Sequence, residues 1–168
     1  LEESGLTNGR EYQTQVSVST ADGRRQPDVI VHLPDGKDVI IDAKVSLTAY
    51  ERFCRDEDED ARRKALEEHV QSLRAHVRGL NRKDYEGLEG IQTLDYVLLF
   101  IPVEAAFLTA MEAAPGLYQE AYEQHIVLVS PTTLMVTLRT INNIWRHEYQ
   151  SRNAIEIADR AGRICDQV

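Results

Sequence analysis

Tyr12, Thr14, Val16 and Val18 stand at alternate positions, the period of a strand with one buried face, so residues 11–19 read as a first strand. Ala21-Asp22-Gly23 closes it as a turn. Two short runs rich in Val and Ile follow, at residues 29–33 and 38–43, with Pro34-Asp35-Gly36 between them. Proline presets φ and glycine takes the left-handed position, so the pair predicts a β-hairpin. Thr48 followed by Glu51 has the spacing of a capping box. The acidic residues of 56–60 stand where a helix N-terminus favours negative charge, and Leu66, Val70, Leu73 and Val77 then recur at helical spacing over 59–80. Residues 81–93 read as a polar loop, and 95–101 (DYVLLFI) as a strand covered on both faces. Two short helices, 105–113 and 116–124, are separated by Pro115, and 126–129 is another buried strand. Ser130-Pro131-Thr132 opens a long helix with proline in its first turn and apolar positions at Leu134, Leu138, Ile141, Trp145 and Tyr149. A further helical stretch spans 154–166.

The first three strands suit an antiparallel meander. The last two are each reached across helices, which suits parallel placement. The expected fold is therefore α/β: a mixed central β-sheet flanked by helices, in one domain over residues 1–168.

A three-residue loop at 34–36 sets the register of the hairpin. Leu33 pairs with Lys37, and counting outward sets Ile30 opposite Ile40, Val29 opposite Ile41 and Asp28 opposite Asp42. Lys44 lies two residues beyond Asp42 and shares its face. Opposed carboxylates at the end of an apolar hairpin repel one another, and desolvation makes this worse. A bound cation resolves the repulsion; so does one raised pKa, or splaying into water. Two carboxylates with the Ala43 carbonyl would offer hard oxygen ligands of the kind Mg²⁺ accepts, with Lys44 beside them to orient water or stabilise charge on a phosphate.

Charge and composition narrow the function classes. The net charge of −9 argues against a protein that grips nucleic acid by bulk charge, though not against a local basic groove. Cys54 and Cys165 are far apart, which argues against a disulfide scaffold or cysteine-rich zinc site and suits a reducing compartment. No stretch approaches the ~18 apolar residues of a membrane-spanning helix. The opening Leu-Glu-Glu-Ser-Gly-Leu reads as the tail of a helix closed by Gly5, and hence as the start of an excised fragment.

Other polar residues have structural readings beside functional ones. His32 falls opposite Asp38 and reads as a cross-strand pair. His69 and His76 are seven apart on one helical face, too far for a two-histidine metal site. Glu104 reads as the cap of the helix it opens rather than a site residue, and Trp145 as core. Arg62, Arg63, Lys64, Arg74, Arg78, Arg82 and Lys83 form a basic stripe that suits a solvated face with i,i+4 pairs such as Glu59–Arg63, or contacts to phosphates. Arg139, Arg146 and Arg152 form a second candidate phosphate track, and Arg24 and Arg25 immediately precede the hairpin.

The same residues carry a resemblance. Pro27-Asp28, thirteen residues, then Asp42-Ala43-Lys44 resembles the P-D…(D/E)-x-K signature of the restriction-endonuclease-like nucleases. The runs Gln26-Pro27-Asp28-Val29-Ile30-Val31, Ile41-Asp42-Ala43-Lys44-Val45-Ser46-Leu47-Thr48-Ala49-Tyr50, Val127-Leu128-Val129-Ser130-Pro131-Thr132-Thr133-Leu134 and Asn153-Ala154-Ile155-Glu156-Ile157-Ala158-Asp159-Arg160-Ala161-Gly162 are together similar to the RmuC family of bacterial proteins linked to DNA recombination. The resemblance covers nearly the whole chain. It implies a restriction-endonuclease-like fold, Mg²⁺ (or Mn²⁺) at Asp28 and Asp42, and Lys44 as catalytic lysine. A polar residue of the helix after the hairpin can join the site in such nucleases, which points to Gln71. A third acidic ligand is expected upstream of Leu1, in a helical region that could also pair copies of the chain; Glu2 and Glu3 lie on its remnant. The implied function is a metal-dependent DNA nuclease acting in recombination in the bacterial cytoplasm, with an upstream membrane anchor left open. The alternative is a non-catalytic DNA-binding or scaffolding module on the same fold.

Overall fold

The computed structural model describes residues 1–15, 18–20, 23–25, 27–80 and 93–165. After a short 3-10 turn at Glu2–Ser4, closed by Gly5 at φ +86°, the elements run β1 (Tyr12–Thr14), β2 (Val18–Thr20), β3 (Gly23–Arg25), β4 (Val29–His32), β5 (Asp38–Asp42), α1 (Thr48–Arg55) and α2 (Glu59–Gly79). They continue with β6 (Thr93–Phe100), α3 (Glu104–Ala113), α4 (Leu117–Glu123), β7 (Ile126–Val129) and α5 (Pro131–Cys165). Five strands form one sheet in the order β1-β4-β5-β6-β7. β1, β4 and β5 pair antiparallel, and β5, β6 and β7 pair parallel, so the sheet is the expected mixed one.

The hairpin forms in the counted register. Val29 pairs with Ile41, Ile30 with Ile40, Val31 with Val39 and His32 with Asp38. The Leu33 amide donates to the Lys37 carbonyl at 2.8 Å, and Gly36 sits at φ +83°, a conformation glycine adopts without steric cost. Every residue of β5 is buried, because strands flank it on both edges and helices cover both faces. Its alternation feeds two cores. Ile40 joins Val97, Leu99 and Leu128 of the sheet with Val70, Leu73 and Val77 of α2 and Ala106 and Ala110 of α3. Val39 and Ile41 face the other way, into a core with Tyr12, Val31, Leu98, Leu138 and Ile141. Helices α2–α4 thus cover one face and α5 the other.

The segment before β1 is fastened to α5 by a buried carboxylate. Glu11 accepts from the Thr7 amide at 2.8 Å, from Arg10 Nε at 2.7 Å and from Tyr149 Oη at 2.8 Å. Burial pushes its carboxyl up, and these bonds bring it below the usual range. At Gly5 a Cβ would meet Asn142 Nδ2 of α5 at 2.7 Å, a side-chain end that can shift, so it is the φ of +86° that favours glycine there.

Several expectations change. The first strand is broken: Gln15 takes φ +53°, its amide makes a last bond to the Asp28 carbonyl at 2.9 Å, and Val18–Thr20 pairs instead with Gly23–Arg25 in a separate two-stranded ladder. Ala21 and Asp22 of the expected turn lie outside the described residues, as do residues 81–92 of the expected polar loop. Thr48 does not cap α1; Leu47 holds the N-cap position without a side-chain bond. The genuine cap is at α2, where Asp58 Oδ2 accepts from the Ala61 amide at 2.8 Å. Arg63 pairs with Asp60 at 2.8 Å rather than with Glu59. The two helical stretches near the end of the chain are one 35-residue helix, roughly 50 Å long. Its second half exposes Ile155 and Ile157 and carries Glu148–Arg152 and Glu156–Arg160 pairs at i,i+4. Among the described residues no helix is long and apolar enough to cross a membrane.

Ile40 is fully buried at the centre of the α2-side core. Ile40→Ala should lower the unfolding free energy by about 2–5 kcal/mol, read as a lower urea midpoint at unchanged m-value.

Candidate functional site

Strands β4 and β5 pair as far as Val29 and Ile41; Asp28 immediately precedes the first of these and Asp42 immediately follows the second, so the two flank the last pair. Both stand where β5 ends. Parallel strands β6 and β7 end at the same edge, with Asp42 in line with Leu99 and Leu99 with Leu128. Ligands in sheets of this kind sit at the carboxyl ends of the strands.

The two carboxylates are arranged alike. Asp28 Oδ2 accepts from the Ala43 amide at 2.8 Å, and Asp42 Oδ2 from His76 Nε2 of α2 at 2.8 Å. The Oδ1 atoms face Lys44, whose ammonium lies 3.1 Å from that of Asp28 and 3.8 Å from that of Asp42. The side chain of Asp42 is only 4% exposed, that of Asp28 27%, and that of Lys44 58%. The repulsion expected between the carboxylates is therefore met by the chain's own cation. Burial pushes the Asp42 carboxyl up. The hydrogen bond and charge of His76, with the charge of Lys44, more than offset this and hold it below the usual carboxylate range. Asp42 is thus ionised, not protonated, at neutral pH. Among the described residues no three His, Cys, Asp or Glu side chains converge in a way that could hold a metal ion.

The remaining candidates are dispersed. Gln71 is exposed and lines a cleft with Arg63, Glu67 and Arg74 against Ala113–Gly116, on a stretch of α2 nearer its N-terminus than His76. Arg74 is held by Glu120 through two bonds of 2.8 and 2.9 Å, and Arg62 lies over the Phe53 ring. Arg139 and Arg146 are exposed on α5, the helix on the opposite face from α2. Arg152 pairs with Glu148. Arg24 and Arg25 lie on β3, paired with Ser19 and Val18; Arg82 and Lys83 lie outside the described residues. Glu2 and Glu3 line an open cleft with Asn8, Tyr12 and Thr14, and Tyr12 belongs to the α5-side core.

His32 pairs with Asp38 at 2.6 Å across the hairpin, as read from the register. His69 is fully buried, donates to the Ala106 carbonyl at 3.1 Å and leans on Tyr50; burial pushes its pKa down. Trp145 packs in the α5-side core and donates to the His32 carbonyl at 2.8 Å. Glu104 is a cap, but of another helix: Oε2 accepts from the Thr132 amide at 3.0 Å, in the first turn of α5. That bond holds its carboxyl below the usual range. His76 is the site residue that sequence reasoning missed. Its signal was weak but present: it stands between the core positions Leu73 and Val77, at the border of the buried stripe of α2.

A carboxyl depressed by folding stabilises the folded state fully above its unfolded-state pKa and loses that contribution as the pH falls through its folded-state value. Stability should therefore decline as acidification passes through the ordinary aspartate range and on through the depressed value of Asp42. Asp42→Asn should flatten that part of the pH profile and cost about 1.5–3 kcal/mol at neutral pH, measured by urea unfolding from pH 7 downward.

Comparison with known proteins agrees with this reading of the sequence. The chain is 60% identical over 169 residues to a DNA recombination protein RmuC homolog of Yersinia pestis, which covers 100% of this chain and 35% of that protein. It is 59% identical over 169 residues to DNA recombination protein RmuC of Escherichia coli strain K12, covering 100% of this chain and 36% of that protein. Against a Pseudomonas aeruginosa homolog the identity is 56% over 168 residues, or 99% of this chain and 37% of that protein. The chain spans about a third of the length of the curated relatives it matches. Residues 1–168 match the RmuC family throughout, and the chain belongs to that family.

Proposed function

We propose that this domain hydrolyses DNA phosphodiester bonds with a divalent metal, in the service of DNA recombination. The observation that carries the reading is the convergence of Asp28 Oδ1 and Asp42 Oδ1 on one ammonium, at 3.1 and 3.8 Å. A position between two carboxylates that accepts an ammonium also suits a small hard cation. Mg²⁺ is commonly held by one or two carboxylates, with waters and substrate phosphate completing its shell, so the residues present fit it. Asp28 and Asp42 are the residues that would hold Mg²⁺ or Mn²⁺. The ion would neutralise charge on a phosphate oxygen and acidify a water molecule. Lys44, more than half exposed, would approach a phosphate and stabilise the negative charge that develops on it. The names of its relatives support DNA recombination as the setting.

A second reading, DNA binding or scaffolding without cleavage, draws support from the same ion pairs: Lys44 already supplies positive charge to both carboxylates. Within that reading the net charge of −9 speaks against a broad DNA-gripping surface and so favours scaffolding over DNA binding.

The deciding experiment uses the full-length protein with single-stranded, duplex and branched DNA, with and without Mg²⁺. Cleavage should require the metal and fall about 100-fold or more in Asp42→Ala and in Lys44→Ala. Cleavage that persists in both variants sinks the site assignment. Binding without cleavage, insensitive to Asp42→Ala, establishes the second reading.

A further inference from the structure

We infer that His76 is a positioning residue of this site, which holds the Asp42 carboxylate in the orientation a divalent cation requires. The inference rests on the metal-dependent reading above. Its basis is the matched geometry of the two carboxylates. Each has Oδ2 tied by an N–H at 2.8 Å and Oδ1 turned to Lys44. For Asp28 the tie comes from the backbone amide of Ala43, which no side-chain substitution removes. For Asp42 a backbone hydrogen bond from Lys44 is joined by the Oδ2 bond from a side chain, 34 residues along the chain.

Rotation of an aspartate carboxyl about its last torsion is broad and roughly two-fold. The two oxygens of an ionised carboxylate are equivalent, so a tie to one fixes the plane of the group and turns the other toward the site. The turn of α2 that carries the donor is held in place, while the His76 ring itself is 27% exposed. Leu73 and Val77, on either side of His76 in α2, are 0% and 2% exposed, and the His76 carbonyl accepts from the Leu80 amide at 2.8 Å. The bond needs only a proton on Nε2, which the neutral Nε2–H tautomer carries as well as the imidazolium does. Fastening α2 to the sheet does not need this bond, because Val70, Leu73, Val77 and Leu80 already do so through the core. What the bond adds is direction, the role that outer partners of metal-binding carboxylates play.

The test is Mn²⁺ binding to the full-length protein, by calorimetry with the metal alone, alongside Mg²⁺-dependent cleavage. Wild type should bind Mn²⁺. His76→Ala should lose roughly 10–100-fold in affinity, with its far-UV circular dichroism unchanged. His76→Gln places an amide donor near the position of Nε2 and should recover most of the loss. Wild-type binding with His76→Ala equally tight overturns the inference and leaves the metal site standing. A His76→Gln variant as weak as His76→Ala also overturns it, since ring packing rather than the donor would then be at work. Wild type that neither binds Mn²⁺ nor cleaves DNA overturns the metal reading and this inference together.

Discussion

Strand β5 lies between β4 and β6 and is covered by helices on both faces, so every side chain from Asp38 to Asp42 is out of water. Its middle three residues divide their apolar side chains between two cores, Ile40 toward α2 and α3, Val39 and Ile41 toward α5. Its two ends are aspartates. A buried carboxylate is costly unless it is paired and hydrogen-bonded. Each end therefore dictates a partner: His32 for Asp38 and, for Asp42, His76 with Lys44.

At the Asp42 end the partners come from three directions. Asp28 arrives across the hairpin, Lys44 from the continuation of β5 itself, and His76 from a helix packed on the sheet. The result is a small charged cluster at the edge where three parallel strands end. The carboxyl of Asp42 stays below its usual range despite burial, which shows that its neighbours outweigh desolvation.

The opposite face of the sheet shows a different solution to the same problem. Glu11 is nearly inaccessible, yet three donors from Thr7, Arg10 and Tyr149 surround it. That carboxylate fastens the first twelve residues to α5 and stands apart from the Asp28–Asp42 cluster. Glu104 is spent on the first turn of α5, where a carboxylate on a backbone amide complements the helix dipole.

Where a feature depended on near neighbours, it was legible in the residues. The turn at 34–36, two apolar runs and the two-residue period of a strand were enough to set Asp28 opposite Asp42 and Lys44 on the same face. The extent of α2 and the parallel placement of β6 and β7 followed from helical spacing and from crossovers that need helices. The misses were of two kinds. Local patterns were overruled at Gln15, where a left-handed residue broke the alternating strand, and at Thr48, whose capping spacing was not used. Long-range partners were invisible, because no spacing rule links His76 to Asp42, Glu104 to Thr132 or Tyr149 to Glu11. The sequence by itself determined the hairpin, its register and hence the two facing carboxylates with their lysine, since a three-residue turn and a strict period leave the chain no other pairing. Only the tertiary structure decided what orients Asp42 and keeps it charged, because that depends on which turn of α2 comes to rest over the end of β5, and packing of the whole core sets that placement.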